Sequence, residues 1–448
     1  MNCVRHFRPP ILRRVFAFLA FLCSQSIAAE RPHIVFVLAD DTGFGDMVCY
    51  GGTLAPTPHL DRLAREGTRF TRYYSAAPIC SPSRCGLITG QFPARWHITS
   101  FLQTRAGNRA CDQADFLDAK APSLPRMLQE AGYATAHIGK WHLGGGRDVA
   151  DAPKFAAYGY DLGLGTYESP EPAAALGLKT VPWGPEEKRE PQQVARHDRT
   201  RWMVDETLAF LKKHDDQPCF VNLWFDDVHT PWVPANATDG KEDRSNLVAV
   251  IGEMDRQIGR LMDAVPANTL LIFTSDNGAL PTFKGERNVG LRGSKLSLYE
   301  GGVRLPFIAR WPGRVPAGKT DDTTVLHAVD MMPTLAAIGT AALPPQYASD
   351  GEDFSTALLG KPAARTKPLF WEYGRNNTSF FFPDAPDRSP NVAMREGNWK
   401  LLINADGTAA ELYDLAADPN ETKNLAAEKP DIAKRMTEAT LAWRKAMP

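Results

Sequence analysis

The sequence predicts an α/β fold with a mostly parallel central sheet flanked by helices, followed by a smaller antiparallel sheet and a closing helix. Three observations lead there. From residue 33 onward, continuous apolar runs alternate with amphipathic stretches of helical period. The runs are short and partly β-branched, as strands covered on both faces require. After about residue 360 the alternation gives way to short runs separated by turn residues, the pattern of an antiparallel sheet.

Ile34 to Ala39 is the first buried strand. Thr57 and Pro58 read as an N-cap and first helical position, Leu60, Leu63 and Ala64 form one apolar face, and Gly67 stands where the helix must stop. A similar unit runs from Ser123 through Met127, Leu128 and Ala131 to Gly132 and leads into a strand at Tyr133 to Ile138. A helix over Arg199 to His214 precedes a strand at Cys219 to Phe225. A helix carrying Val248, Ile251, Ile258 and Leu261 precedes a strand at Thr269 to Thr274. Repeated β-α alternation implies parallel strands with helices on both sides. Residues 146 to 198, rich in Gly, Pro and charge, read as a long excursion beside the entrance to a site.

The later runs are Pro368 to Tyr373, Asn391 to Met394, Trp399 to Ile403 and Glu411 to Tyr413. A helix over Glu428 to Met447 carries Ile432, Met436, Ala439 and Trp443. The expected division is therefore a targeting segment over 1–29, a large domain over 30–360 and a C-terminal subdomain over 361–448. The sequence contains no internal repeat.

At 448 residues, 43% hydrophobic and 23% charged, the composition is that of a soluble globular protein. A net charge of -1 removes any global electrostatic reason to expect nucleic acid or an anionic membrane as partner. Arg5, Arg8, Arg13 and Arg14 precede an apolar stretch from Val15 to Cys23, too short to span a bilayer comfortably. Ser26-Ile27-Ala28-Ala29 then supplies the small residues of a signal-peptidase site, so the chain is expected to be exported, periplasmic or secreted. Of seven cysteines, Cys49, Cys80, Cys85, Cys111 and Cys219 lie beyond that segment, an odd number in an oxidising compartment. If Cys80 is consumed chemically, three disulfide pairings of the other four remain open. The sequons at Asn236, Asn376, Asn377 and Asn420 would matter only in a glycosylating host.

Two acidic pairs stand in equivalent places. Asp40-Asp41 ends the first strand and Asp276-Asn277 ends the strand after Leu270 to Thr274. Ligands of open α/β sheets bind beyond the carboxyl ends of the strands, so the pairs can converge there. Their oxygens suit Ca²⁺ or Mg²⁺ and not Zn²⁺. Either pair alone would more often cap a turn; the matching position raises the metal reading. Cys80-Ser81-Pro82-Ser83-Arg84 follows Pro78, and Pro82 reads as a helix start. A guanidinium one turn into a helix favours an anion.

That pentapeptide, with Leu87-Ile88-Thr89-Gly90 downstream, resembles the signature of the type I sulfatases, within the alkaline-phosphatase-like superfamily. The likeness runs from His33 through Asp40-Asp41 to the closing helix. It includes Gly139-Lys140-Trp141-His142-Leu143-Gly144, Val228-His229-Thr230-Pro231, Arg292-Gly293-Ser294-Lys295 and Tyr299-Glu300-Gly301-Gly302. Gln91 departs from the Arg that many relatives carry. The resemblance implies that a formylglycine-generating enzyme oxidises Cys80 to formylglycine, an aldehyde that hydrates to a geminal diol. It further implies metal ligation of one Ca²⁺, ahead of Mg²⁺, by Asp40, Asp41, Asp276, Asn277 and the oxygen of modified Cys80. Cys80, Arg84, Lys140, His142, His229 and Lys295 are then the catalytic residues.

Sulfate monoesters are anions that repel nucleophiles, so cations must neutralise them before attack. Arg84, Lys140, Lys295 and the metal supply those cations. A serine would leave a stable protein sulfate ester, whereas one diol hydroxyl attacks sulfur and the other later loses its proton to expel sulfate. By resemblance His229, helped by Lys295, protonates the departing alcohol, and His142 is the base for the expulsion. Nearby cations are expected to lower both imidazole pKa values.

Export favours a sulfated carbohydrate as substrate. Aromatics and charges at Trp96-His97-Ile98, Arg105, Arg109, Tyr167-Glu168, Trp183, Trp232 and Trp371-Glu372-Tyr373-Gly374-Arg375 are candidates for a sugar pocket. The alternatives are a phosphodiesterase or phosphonate monoester hydrolase on the same fold, and a non-catalytic binder of sulfated glycans in which Cys80 stays a thiol.

Overall fold

The computed structural model describes residues 1, 31–174, 194–235, 242–380 and 387–448. The targeting segment, Trp183 and Asn236 lie outside them. Arg31–Pro448 contains two sheets. The larger is built from β1 (His33–Ala39), β2 (Thr68–Tyr74), β3 (Ala134–Gly139), β4 (Leu162–Gly165), β5 (Cys219–Trp224), β6 (Thr269–Ser275), β7 (Arg304–Arg310), β8 (Lys319–Asp321) and β9 (Leu326–His327). Its order is β4-β3-β5-β1-β6-β7-β2-β8, with β9 also paired to β2. The smaller is the antiparallel series β10 (Leu369–Glu372), β11 (Val392–Glu396), β12 (Trp399–Ile403) and β13 (Glu411–Asp414).

The expected α/β architecture is therefore observed. Along β1, Ile34, Phe36 and Leu38 enter the core on one face, and Val35, Val37 and Ala39 enter the core on the other. Period-two alternation with both faces apolar is what places β1 centrally, between β5 and β6, in parallel to both. Each fully buried aliphatic side chain contributes roughly 1.5–3 kcal/mol of transfer free energy.

One strand runs against the rest. β7 is antiparallel to both β6 and β2. The short helix Glu300–Val303 passes directly into Arg304, so the chain enters β7 from the carboxyl edge of the sheet without a crossover. Because β7 opposes both neighbours, β2 points the same way as β6. The carboxyl ends of β1, β2, β3, β5 and β6 thus share one edge.

Local details differ from the sequence expectation. The helix with the Cys80 motif spans Cys80–Thr89, so Cys80 opens it and Pro82 lies inside its first turn. Thr57 and Pro58 hold the N-cap and first helical positions as expected, but the Thr57 hydroxyl accepts the Val48 N–H at 3.0 Å instead of a helix N–H. All five described cysteines are free thiols, so none of the possible pairings is present. Trp232, Trp371 and Tyr373 are core residues, 0–1% exposed, and do not line an open pocket.

The small sheet is tied to the large one by buried charge. Lys400 Nζ lies 2.9 Å from Glu300 Oε1 and 2.9 Å from Glu421 Oε1, with all three side chains fully buried. Tyr74 Oη donates to Glu300 Oε2 at 2.7 Å, and the Glu300 N–H donates to Glu421 Oε2 at 2.6 Å. Removing the cation leaves two carboxylates facing each other in a dry interior. Lys400→Met should therefore cost about 3–5 kcal/mol of unfolding free energy, measured by denaturant titration.

Candidate active site

Four adjacent parallel strands deliver charged side chains to the shared edge. Asp40 and Asp41 follow β1, Asp276 and Asn277 follow β6, Lys140 and His142 follow β3, and His229 lies beyond β5. The Cys80 helix starts at the same edge after β2, and Lys295 lies in the loop that leads to β7. Gly139 makes the exit from β3 possible: its φ is 112°, and a Cβ there would lie 1.8 Å from Trp224 O. The helix seats equally tightly, since a Cβ on Gly86 would fall 2.4 Å from Ala76 Cβ.

Asp41 takes a left-handed backbone, φ 59°, stabilised from several sides. Its N–H donates to Asp276 Oδ1 at 3.2 Å, and its carbonyl accepts Arg287 Nη2 at 2.8 Å. Arg287 is itself paired with Asp46 at 2.8 Å, both side chains buried. Sequence reasoning missed Arg287 and Asp46, because nothing in their spacing distinguishes them from surface charge.

Each carboxylate faces a cation. Arg84 donates from Nε and Nη2 to Asp276 Oδ2 at 3.1 and 2.7 Å, and from Nη1 to Lys140 O at 2.9 Å. Its guanidinium also lies 5.2 Å from the centre of the Trp224 ring. Lys140 Nζ pairs with Asp40 Oδ2 and lies 3.5 Å from Cys80 Sγ. Lys295 Nζ contacts Asp41 Oδ1 at 2.7 Å, and His229 Nε2 stands 3.7 Å from Asp41 Oδ2. Gln91 plays no part: its side chain donates to Ala348 O and accepts from Trp96.

Burial pushes the Cys80 thiol up to about 12, against the pull of Lys140 and Lys295. Burial also raises Asp40, but Lys140, His229, Arg84 and Lys295 outweigh it and hold Asp40 ionised. Asp276 is pushed up to about 6 by burial and the Asp40 charge. Burial lowers Lys140 and Lys295, but Asp40 and Asp41 reverse this and keep both protonated. His229 falls to about 4 through burial and Lys295, and His142 falls well below the usual imidazole value through burial, Lys140 and Arg84.

The two imidazoles are oriented differently. His142 Nε2 lies 3.1 Å from Leu102 O, an acceptor, so Nε2 carries the proton. Its Nδ1 is then a lone pair, buried and without a hydrogen-bond partner. His229 Nδ1 lies 2.7 Å from Thr230 O, so its Nε2 faces the carboxylates. Arg196 braces the His229 loop, donating to Asp226 O and His229 O and pairing with Asp227 at 2.7 Å. Tyr167 stands beside both Lys140 and His142, its ring centre 5.1 Å from Lys140 Nζ and 4.8 Å from the His142 ring.

Ligand atoms of Asp40, Asp41, Cys80 and His229 lie within 4.8 Å of one another. Asp276 and Asn277 border that group. Asn277 Oδ1 is buried without a hydrogen-bond partner, while its Nδ2 donates to Asp41 Oδ1 at 2.7 Å. An orphaned carbonyl oxygen beside three buried carboxylates fits a hard cation better than an imidazole nitrogen does.

Fold and site together place buried cations and carboxylates at the carboxyl edge of a parallel sheet, where open α/β sheets bind their ligands. The sulfatase family model matches residues 32–340, and an N-sulphoglucosamine sulphohydrolase C-terminal model matches 293–445. The chain is 31% identical to an N-acetylgalactosamine-6-O-sulfatase of Bacteroides thetaiotaomicron, over 93% of this chain and 95% of that one. A solved structure concerned with the metabolism of multiple glycosaminoglycans by Bacteroides thetaiotaomicron superposes with a TM-score of 0.75 at 26% identity. It covers 93% of this chain and 100% of its own. A phosphonate monoester hydrolase of Agrobacterium radiobacter shares the fold, with a TM-score of 0.63 at 21% identity over 93% of this chain and 96% of its own. This chain belongs to the sulfatase family and is a sulfatase.

Behind the site, His137 is enclosed by Trp141, Phe155, Tyr160 and Trp224, with ring centres 5.0–5.6 Å away. Burial and the Arg84 charge lower its pKa to about 3. A histidine neutral when folded and near 6.5 when unfolded contributes stability above pH 6.5 that is lost as pH falls toward 3. Between pH 7 and 5 the loss from this group is about 2 kcal/mol. His137→Phe should flatten the acid limb of the unfolding free energy by that amount, read by urea titration at both pH values.

Proposed function

We propose that this sulfatase, exported to the periplasm or secreted, hydrolyses a sulfate monoester on a sulfated carbohydrate, with Cys80 converted to formylglycine and one Ca²⁺ bound. The observation that carries the reading is Cys80 itself. It opens a helix, buried, with Lys140 Nζ 3.5 Å from its sulfur, and burial pushes the thiol pKa up. Such a thiol is a poor nucleophile despite its setting. Formylglycine, hydrated, supplies one hydroxyl for attack on sulfur and a second whose deprotonation releases sulfate. The relatives' 6-O-sulfated N-acetylgalactosamine substrate supports a glycan ester.

Asp40, Asp41, Asp276 and Asn277 would hold Ca²⁺, which supplies Lewis acidity toward a sulfuryl oxygen. The charge balance supports this. Lys140, Lys295 and Arg84 face Asp40, Asp41 and Asp276 respectively. A divalent ion among those carboxylates would leave the three cations free to face a substrate anion. In this reading Arg84, Lys140 and Lys295 bind the sulfuryl oxygens, His229 in its imidazolium form hands the Nε2 proton to the departing alcohol, the bound anion favouring that form, and His142 Nδ1 takes the proton that allows sulfate to leave. The residues over 30–360 form the catalytic domain and 361–448 a C-terminal subdomain, with 1–29 removed on export.

Sulfate release from 6-O-sulfated N-acetylgalactosamine, compared with a phosphonate monoester and a phosphodiester, tests the reaction class. Sulfate turnover should exceed the other two by orders of magnitude; faster phosphonate or diester cleavage would favour the alternative hydrolase. Asn277→Ala should weaken Ca²⁺ binding, measured by calorimetry, by roughly 10-fold or more, as loss of one carbonyl ligand predicts. His142→Ala should stall with sulfate retained on the Cys80 peptide, whereas His229→Ala should mainly slow attack.

A further inference from the structure

His142 is held by a single acceptor, the Leu102 carbonyl at 3.1 Å, and that acceptor lies on a loop. A carbonyl on an irregular segment orients a ring only if its own peptide is fixed. Two buried side chains hold Leu102, one through this peptide and one through the peptide before it. The Leu102 N–H donates to Ser81 Oγ at 2.9 Å, and the Gln103 N–H, which belongs to the same peptide plane as the Leu102 carbonyl, donates to Asn108 Oδ1 at 2.9 Å. Ser81, Leu102 and Asn108 are 0–1% exposed. Asn108 is anchored in turn, its Nδ2 donating to Gln103 O and to Asp115 Oδ1 at 3.1 Å each.

We infer that Ser81 and Asn108 are positioning residues that act through Leu102 to hold His142 with its proton on Nε2 and a lone pair on Nδ1. The inference deepens the function proposed above and rests on it for the role of His142. In that role Nδ1 accepts a proton from the hydroxyl on the Cys80-derived carbon. The O–H electron pair forms the carbonyl, the carbon–oxygen bond to sulfate breaks, and sulfate departs with that bond's electrons. A ring turned over, or protonated on Nδ1, has no lone pair there to take the proton. Ser81 thus couples the residue next to the nucleophile with the base that resets it. Because the hydroxyl is the required acceptor, Thr retains it and Ala does not.

The test has two arms. Selective ¹⁵N-histidine spectra of the full chain with Cys80 left as a thiol, with His142 assigned through His142→Ala, report the tautomer without any need for conversion. The native protein should show the Nε2–H form, Ser81→Ala and Asn108→Ala a mixture of tautomers, and Ser81→Thr the native form. An unchanged tautomer in both alanine variants would overturn the positioning role. In the second arm, rates are normalised to the aldehyde content of the Cys80 peptide. Ser81→Ala and Asn108→Ala should lower kcat about tenfold without raising KM, as loss of one orienting hydrogen bond predicts. Both should retain sulfate on the Cys80 peptide when quenched during turnover, and Ser81→Thr should restore turnover. A perturbed tautomer with normal kcat and no retained sulfate would leave the geometry intact but contradict the base role, so the two failures are distinguishable.

Discussion

Three carboxylates and three cations are buried together at the edge where the parallel strands end, none of these side chains more than 8% exposed. Isolated, each would carry a desolvation penalty of several kcal/mol. Asp40 with Lys140, Asp41 with Lys295 and Asp276 with Arg84 neutralise one another instead. The ordered strand ends follow from this, because the pairs join β1, β3 and β6 to the Cys80 helix and to the loop before β7. Packing around them serves the same end: Trp224 lies under Arg84, Gly139 clears the exit from β3, and Arg287 with Asp46 fixes the unusual backbone of Asp41.

Such an assembly is poorly optimised as a stabilising device, since apolar residues of equal volume would hold a core as well. It is well suited to an anion. With a divalent ion taking the carboxylates, the cations would already stand in place when the anion arrives, and the low dielectric would strengthen every contact. The same environment keeps Cys80 protonated and both imidazoles neutral at physiological pH. Two neutral histidines with opposite tautomers, one bonded to a backbone carbonyl through Nε2 and the other through Nδ1, present differently placed lone pairs. His142 can therefore accept a proton at Nδ1 as it stands, whereas His229 must first gain one at Nε2 before it can give it to a leaving group.

The architecture was legible in the sequence because it rests on periodicity. Ile34 to Ala39 alternates between two apolar faces, and the switch to short runs after residue 360 marks the second sheet. The antiparallel course of β7 was not legible, because its entry through the helix Glu300–Val303 carries no strand-direction signal. The start of the Cys80 helix was misplaced at Pro82, since proline is favoured at a first helical position but is also accepted throughout the first turn. Charged residues beside strand ends could be singled out by type and place. Leu102 and Asn108 could not, because one contributes a backbone carbonyl and the other looks like any loop amide. Trp232, Trp371 and Tyr373 show the converse: large amphipathic rings read as pocket walls and fold into the core.

The most direct test of the account is the mass of the proteolytic peptide containing Cys80, from protein produced together with a formylglycine-generating enzyme. The account predicts a peptide lighter than the thiol form by the exchange of sulfur and two hydrogens for oxygen, carrying an aldehyde that reacts with a hydrazide probe. An unmodified thiol in protein made under those conditions would contradict it.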